Sequence, residues 1–159
     1  GNCRACVVEV EGEAAPISMT PVENAPRPSA KPGDARLFAL ARRLTESGHA
    51  PLEGIAFEAG SAKLTVESSA SLEQAAQLLQ GRPDLKFLVV GHTDNQGDLE
   101  LNLELSRKRA ESVAAALASI EGVTADQVTP HGVGFLSPRA ANSDDEGRRL
   151  NRRVELVLQ

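Results

Sequence analysis

Apolar residues recur at helical spacing in three separate parts of the chain. The three sets are Leu37, Leu40, Ala41 and Leu44; Leu72, Ala75, Ala76 and Leu79; and Leu99, Leu103, Ala110, Val113 and Leu117. Each set places its side chains along one side of a helix, the side that packs against a core. We therefore predict helices over about 34–47, 66–80 and 99–120. Asp34 is the expected N-cap of the first helix and Thr65 that of the second.

Four short segments have the composition of β-strands. Residues 54–58 and 128–135 are short apolar stretches, the second loosened by proline and glycine. Residues 86–90 are continuously apolar after a lysine, which is typical of a central strand covered on both faces. Residues 154–158 alternate, which is typical of a half-exposed strand. A polar loop, 136–150, precedes the last strand and carries one expected helical turn near Asp145.

The order of these elements, β-α-β-α-β-β, predicts an α+β fold. We expect a two-layer βαβαββ domain with a mixed sheet and helices packed on one face. Residues 54–159 form this domain, which is long enough to bury a single core. Residues 35–53 are predicted to be a short helix and connector. Residues 1–34 are predicted to be a β-rich extension and Pro-rich linker, the end of a preceding region that is missing.

Composition and charge exclude several classes of function. The net charge is -5, so the chain repels phosphate, and we expect no nucleic acid among its partners. Four Phe with no Trp and no Tyr leave few aromatic rings on which bases or sugars would stack. No stretch reaches the roughly 18 to 20 apolar residues that are needed to span a bilayer.

The segment from Gly91 to Ala110 carries the most suggestive chemistry. Asp94 lies where the predicted central strand opens into a loop, the end of a strand at which open α/β sheets bind ligands. On the following helix Asn102 and Arg109 share one face, about 10 Å apart along the axis. An acid and a guanidinium facing one cleft would bind a zwitterion: Asp94 its ammonium, and Arg109 its carboxylate. Asn102 would supply a neutral donor and acceptor between them.

Other interpretations of the same residues stay open from spacing alone. Asp94 would simply cap the following loop or helix, while Arg109 forms a surface ion pair with Glu104 or Glu111. His92 and Asp94 on one strand face suggest a metal site, but no third ligand is placed by the sequence. Asp94 and Glu104 would be a carboxylate pair for hydrolysis, although charges near a helix start usually cap it or face solvent. We expect neither a metal nor a catalytic residue.

A larger set of residues, matched in order, points to a known family. The set is Ile55-Ala-Phe57, Gly91-His-Thr-Asp94, Gly97, Asn102, Leu105-Ser106, Arg109-Ala110, Val113, Gly132-Val-Gly134, Pro138, Asn142, Glu146-Gly-Arg148 and Asn151-Arg-Arg-Val154. Together these residues resemble the signature of the OmpA-like, or OmpA/MotB C-terminal, domain family. The resemblance covers about 54–159 and implies the same βαβαββ fold.

The resemblance implies non-covalent binding of peptidoglycan in the periplasm. In that family the meso-diaminopimelate of the stem peptide is held by residues that match Asp94 and Arg109. Thr93, Leu101, Asn102 and Arg152 match positions that line the same pocket. The chain departs from the family in its first loop, where many relatives have Phe-Asp-x-Asn and this one has Phe57-Glu-Ala-Gly60. An asparagine contact is therefore expected to be absent.

The implied role is that of a non-enzymatic anchor between an envelope protein and the cell wall. Association with the outer membrane would come through the missing N-terminal region, and a homodimer would add avidity. The alternative is a scaffold or stator-type anchor of a larger envelope machine, which the same family includes. A remote alternative concerns Cys3 and Cys6, whose surroundings resemble part of the cysteine loop of ferredoxin-type [2Fe-2S] domains. A cluster needs four ligands, so a disulfide or two ordinary thiols are the simpler expectation, and no cofactor is predicted.

Overall fold

The structure, a computed structural model, describes residues 32–58 and 60–159. The predicted β-rich extension, most of the predicted linker, and both cysteines lie outside the described residues. In the part of the chain that is described, no helix has the length and apolar character that crossing a bilayer requires.

Helices and strands alternate along the described chain. The elements are α1 (Pro32–Ser47), β1 (His49–Pro51), α2 (Ser69–Gln80), β2 (Phe87–Gly91), α3 (Leu99–Ala118), β3 (Val128–Gly132), α4 (Asp145–Asn151) and β4 (Val154–Leu158). Single 3₁₀ turns, Val66–Ser68 and Ala125–Gln127, precede α2 and β3. The helical turn that was expected near Asp145 is α4, and the Asp144 carboxylate caps it by accepting a hydrogen bond from the Gly147 N–H at 2.7 Å.

The four strands form one mixed sheet in the order β1-β4-β2-β3. β4 lies between β1 and β2 and is antiparallel to both, whereas β2 and β3 are parallel. The core is built from buried aliphatic residues of the sheet and of the helices, with Phe87 as its one buried aromatic side chain among the described residues. The predicted α+β fold, with helices packed on a mixed sheet, is confirmed.

The first strand is not where the sequence placed it. Residues 54–58 do not join the sheet, and Phe57 forms only an isolated antiparallel bridge with Leu64. The first strand of the sheet is β1, at the edge opposite to β3, and its Ala50 is fully buried opposite Leu156 of β4. Gly54 has a φ of 87°, a turn conformation that separates the sheet edge from the residues that follow.

Burial along β2 also differs from the prediction. The strand is central, but Phe87, Val89 and Gly91 are buried while Leu88 and Val90 are only half-buried. The helices therefore cover one face of β2, and the other face is partly open. The continuous apolar run reflects a solvated sheet face that keeps some hydrophobic residues, which is common in folded proteins.

Several element ends are displaced by a few residues. α1 begins at Pro32 rather than at Asp34, since proline is well tolerated in the first turn of a helix. Thr65 occupies the predicted N-cap position, before the 3₁₀ turn Val66–Ser68, but its side chain makes no capping hydrogen bond. β3 ends at Gly132, three residues before the predicted Phe135.

α3 lies directly against the backbone of β2 and β3. A Cβ added to Gly91 would overlap the Ser106 carbonyl, and one added to Gly132 would overlap the Arg107 amide. The fully buried Ser106 hydroxyl accepts a hydrogen bond from the Gly134 N–H at 2.9 Å. These contacts fix how α3 sits on the sheet, and so they fix where Asn102 and Arg109 lie.

Candidate functional site

The loop that leaves β2 is held on both sides by backbone hydrogen bonds. The His92 N–H donates to the Arg153 carbonyl at 2.9 Å, and the Thr93 N–H donates to the Gly134 carbonyl at 2.9 Å. The Asp94 Oδ1 accepts from the Gln96 N–H at 3.1 Å. Asp94 is 8% exposed. Its carboxylate therefore shapes the loop, as one of the alternatives held, and does not act as the N-cap of α3, a position that Asp98 takes.

Asn102 fastens the same loop to α3. Its Nδ2 donates to the carbonyl of Gln96 at 2.8 Å and to the carbonyl of Asp98 at 3.0 Å. Both amide hydrogens are used in this way, so Asn102 offers a ligand its carbonyl oxygen rather than a donor. Its contribution to a site is mainly to fix the loop that follows Asp94.

Arg109 is buried without a carboxylate partner. Its guanidinium is part of a residue that is 8% exposed, and its Nε donates to the Ser61 carbonyl at 3.0 Å. The guanidinium carbon lies 5.0 Å from the centre of the Phe57 ring, within range of a cation–π interaction. Among the side chains of residues 35–58 and 60–159, no carboxylate oxygen comes within the 4.0 Å of an ion pair with it.

The surface ion pairs that were considered for Arg109 are formed by its neighbours. Glu104 pairs with Lys108 at 2.7 Å, and Glu111 pairs with Arg107 at 2.6 Å. That alternative is therefore wrong, because Arg109 lies on the opposite, buried side of α3. A buried guanidinium without a counter-ion in contact is costly unless something outside the fold completes it.

Arg152 brings a second positive charge to Asp94. Its Nη1 lies 2.6 Å from Asp94 Oδ2, and its side chain is 44% exposed. Burial lowers the pKa of Arg109 and the nearby Arg152 lowers it further, while Asp94 acts in the opposite direction. Asp94, Arg109 and Arg152 therefore share one electrostatic environment of two positive charges and one negative charge.

Thr93 and Leu101 occupy different positions relative to solvent. Thr93 is 3% exposed, and its buried hydroxyl has no hydrogen-bond partner in the part of the chain that the structure describes. Leu101, in the first turn of α3, is 63% exposed. Thr93 thus adds an unused hydroxyl next to Asp94, and Leu101 adds an apolar surface at the start of the helix.

This arrangement is suited to a ligand that carries both charges. A carboxylate has about four lone-pair positions, and Asp94 uses two of them, for Gln96 and Arg152, which leaves room for an ammonium group. Arg109 has terminal N–H groups that face no carboxylate of the described chain. A free amino acid end, with an ammonium beside a carboxylate, complements both groups.

A second polar cluster near this loop was not predicted from the sequence. Glu155 of β4 accepts from the Nε of Arg153 at 2.7 Å, and it lies 3.3 Å from His49 and 3.8 Å from His92. Burial, with help from Arg153, lowers the pKa of His92 to about 4. Burial is the largest single influence on the pKa of Glu155 and acts to raise it, but the hydrogen bond and charge of Arg153, together with His92 and His49, make the net shift downward.

This cluster makes His92 a neutral residue that supports the loop. Among the described residues, no group of three or more His, Cys, Asp or Glu side chains is arranged to hold a metal. The only sequence feature that pointed to this polar cluster was the alternation of Arg153 and Glu155 with apolar residues in the last strand. Phe57 and Ser61 were likewise not predicted as neighbours of Arg109. The Ser61 contact uses a backbone carbonyl, which the residue type does not reveal.

Solved structures with a similar fold come from bacterial envelope proteins. The peptidoglycan-associated lipoprotein of Burkholderia pseudomallei superposes with a TM-score of 0.60 at 37% identity, over 66% of this chain and 88% of that one. The cell wall anchor of the T6SS of Pseudomonas aeruginosa gives a TM-score of 0.58 at 31% identity, over 78% of this chain and 94% of that one.

Curated relatives agree with the structures. The chain is 39% identical over 104 residues to the probable lipoprotein YiaD of Escherichia coli (strain K12), which covers 65% of this chain and 47% of YiaD. It is 38% identical over 104 residues to the peptidoglycan-binding protein ArfA of Mycobacterium tuberculosis (strain H37Rv), over 65% of this chain and 32% of ArfA. The chain thus spans less than half the length of either relative. The OmpA family model matches residues 56–152, and the chain belongs to the OmpA family.

Proposed function

We propose that this domain binds peptidoglycan non-covalently, by gripping the diamino acid of the stem peptide between Asp94 and Arg109. The observation that carries the proposal is the buried guanidinium of Arg109, which has no carboxylate partner among the described residues. A relative named for peptidoglycan binding, and a structural neighbour named as a cell wall anchor, support the choice of ligand.

In this proposal each group of the site has a separate role. Asp94 accepts the ammonium of a meso-diaminopimelate side chain, and Arg109 donates to its carboxylate. Arg152 stays beside Asp94 and adds positive charge near the bound carboxylate. The Thr93 hydroxyl donates to the ligand, Asn102 holds the loop, and Leu101 covers the apolar part of the diamino acid.

The expected affinity of one site is modest. Two charge-assisted hydrogen-bonded contacts contribute about 1.5–3 kcal/mol each, while association costs at least about 4 kcal/mol in lost freedom. A cell wall offers many identical stem peptides, so tethered copies gain avidity without new contacts. Weak, reversible and multivalent attachment suits an anchor.

The same reasoning favours a non-enzymatic protein of the periplasm. We propose that it is associated with the outer membrane and joins a larger envelope protein to the wall. A scaffold or stator-type role would use the identical site, since only the attached part of the protein would differ. The similarity to a T6SS cell wall anchor keeps that version of the proposal open.

Sedimentation with purified sacculi tests the proposal directly. We expect Asp94→Ala and Arg109→Ala to lose at least about 90% of the wall-bound fraction, because each removes one charged contact. Matched controls are Asp98→Ala and Arg107→Ala, which remove the same charges at exposed neighbouring positions. Both controls should sediment like the wild type, and thermal melting should show that all four variants fold.

The identity of the ligand is tested with walls of two kinds. Sacculi that carry meso-diaminopimelate should retain the protein, whereas walls that carry lysine lack the second carboxylate and should not. Arg109→Lys should also fail, because a point charge cannot donate two parallel hydrogen bonds. Full binding by folded Asp94→Ala and Arg109→Ala would contradict the proposed site. Equal retention on both walls would contradict the diaminopimelate specificity.

A further inference from the structure

Residues 57–58 and 60–64, which the structure describes, form the two sides of a small hairpin against Arg109, called here the 57–64 hairpin. Phe57 and Leu64 pair at its open end, and the Glu58 N–H donates to the Lys63 carbonyl at 3.0 Å. The side chains of Glu58 and Lys63 form an ion pair at 2.7 Å. The Ser61 N–H donates to the Glu58 carbonyl at 3.0 Å, which turns the Ser61 carbonyl outward from the hairpin.

This hairpin contacts the Arg109 guanidinium in two places. The guanidinium carbon of Arg109 lies over the ring of Phe57, 5.0 Å from the ring centre. The Ser61 carbonyl accepts the hydrogen of Nε at 3.0 Å. Phe57 and the Ser61 carbonyl therefore both contact the Arg109 guanidinium before any ligand binds.

The geometry of a guanidinium determines which of its hydrogen-bonding edges remains available to a ligand carboxylate. A carboxylate can accept two parallel hydrogen bonds either from Nε with one terminal nitrogen, or from the two terminal nitrogens together. Because Ser61 already occupies Nε, only the second edge is available. The carboxylate must then approach Arg109 end-on, from the side of its two terminal nitrogens, while the ring of Phe57 occupies space next to the guanidinium.

We infer that the 57–64 hairpin is a positioning element that presents only the Nη1–Nη2 edge of Arg109 to the ligand carboxylate, with Phe57 and the Ser61 carbonyl as its positioning groups. This inference rests on the proposed function of the site and adds the direction of approach. The acceptor is a backbone carbonyl, so the grip does not depend on the side chains at positions 58 and 60, where this chain departs from the common Phe-Asp-x-Asn pattern.

A first experiment uses the free protein and needs no ligand. Hydrogen exchange of the arginine Nε–H groups, measured by NMR, should be at least tenfold slower for Arg109 than for the exposed Arg36. Phe57→Tyr should keep this protection, because it keeps the ring. Exchange of the Arg109 Nε–H at the rate of Arg36 would overturn the inference.

A second experiment measures the affinity for a soluble muropeptide that ends in an unsubstituted meso-diaminopimelate. Phe57→Leu keeps an apolar side chain but removes the ring face, and we expect a threefold to tenfold weaker Kd. Phe57→Tyr should stay within twofold of the wild type. Melting temperatures separate this effect from a loss of folding, since a purely structural role would not be rescued selectively by an aromatic ring.

Two glycines offer a matched pair for the backbone contact. Gly60 has a φ of 65° in the hairpin, and Gly48 has a φ of 74° just after α1, with nothing within 4 Å of an added Cβ at either position. Valine strains the backbone equally at both positions. Gly60→Val should weaken muropeptide binding at least fivefold, because it displaces Ser61, whereas Gly48→Val should not change the Kd.

The outcomes separate this inference from the proposed function. If the wild type binds the muropeptide, Arg109→Ala does not, and both Phe57→Leu and Gly60→Val bind like the wild type, the positioning role is overturned and the site stands. If the wild type does not bind the muropeptide, the proposed function fails and the positioning role falls with it. Selective weakening by Phe57→Leu and Gly60→Val supports both.

Discussion

The buried imidazole of His92 predicts a specific dependence of stability on pH. His92 is 4% exposed, and among the described residues its ring nitrogens have no partner at full hydrogen-bond geometry, although the Ser137 backbone is near enough to act to raise its pKa. Its pKa falls from 6.5 to about 4, mainly through burial and then through the charge of Arg153. Glu155, at 3.8 Å, acts in the opposite direction but does not offset the other two. His49, on the far side of Glu155, adds a small further lowering.

The sign follows from which state binds the proton. Between the folded and the unfolded pKa, the unfolded chain carries a protonated histidine and the folded protein a neutral one. Protons therefore favour unfolding, and stability is lost as the pH falls from about 6.5 towards 4. At 1.36 kcal/mol per pKa unit, we expect a loss of about 2 kcal/mol between pH 7 and pH 4.5.

Urea denaturation at several pH values between 7 and 4.5 measures this loss. His92→Leu replaces the imidazole with an apolar group that has no proton to bind, so the variant should lose about 2 kcal/mol less than the wild type over the same range. His131→Leu, at an exposed position on β3, is the matched control and should follow the wild type. Glu155 also loses stabilisation on acidification; its contribution is the same in the wild type and in His131→Leu, and in His92→Leu it lacks only the part that comes from His92, which ranks below the hydrogen bond and the charge of Arg153. Parallel pH profiles for His92→Leu and the wild type would refute the reasoning.

Two further predictions concern stability. Gly132→Ala should lower the free energy of unfolding by about 1–3 kcal/mol, because its Cβ overlaps the backbone of α3. The control Gly81→Ala, whose Cβ meets atoms no nearer than 3.5 Å, should change the free energy of unfolding little. Urea midpoints measure both variants, and equal effects would contradict the close packing. Asn151→Ala should lower the free energy of unfolding by about 1–3 kcal/mol and speed amide hydrogen exchange at positions 139 and 140, because the fully buried Asn151 side chain accepts from both N–H groups. The control is Asn95→Ala on the exposed loop, and unchanged exchange at 139 and 140 in Asn151→Ala would contradict the prediction.

The periodic elements of the fold could be predicted, and the edge strand could not. α2, α3 and β2 carry enough apolar residues at regular spacing to be recognised from the sequence. β1 is only His49-Ala-Pro51, without any strand pattern, and it exists because β4 supplies hydrogen bonds and Ala50 fits the core. Tertiary context decided that element, and local propensity favoured residues 54–58 instead.

Part of the candidate site could likewise be predicted from the sequence, and part of it could not. The spacing of Asp94, Asn102 and Arg109 predicted a shared cleft. In the structure Asn102 is hydrogen-bonded to the loop that follows Asp94, and Asp94 is near enough to Arg109 to act to raise its pKa, while the shared cleft stays a prediction. Arg152 was expected only from the family resemblance, since its contact with Asp94 spans 58 positions. The partners of Arg109 were not predictable, because a backbone carbonyl leaves no mark in the residue types.

The direct contact of two strand glycines with α3 has a consequence for how such a protein can change over time. Other side chains of the interior can be exchanged for ones of similar bulk while the helix keeps its distance from the sheet, because main-chain contacts at the two glycines, with the Ser106 hydroxyl, set that spacing. Asn102 and Arg109 lie on either side of the contact at Ser106, so their distance from the loop of Asp94 does not change with such exchanges. Sequences can then drift far apart and still hold the same two charges at the same separation.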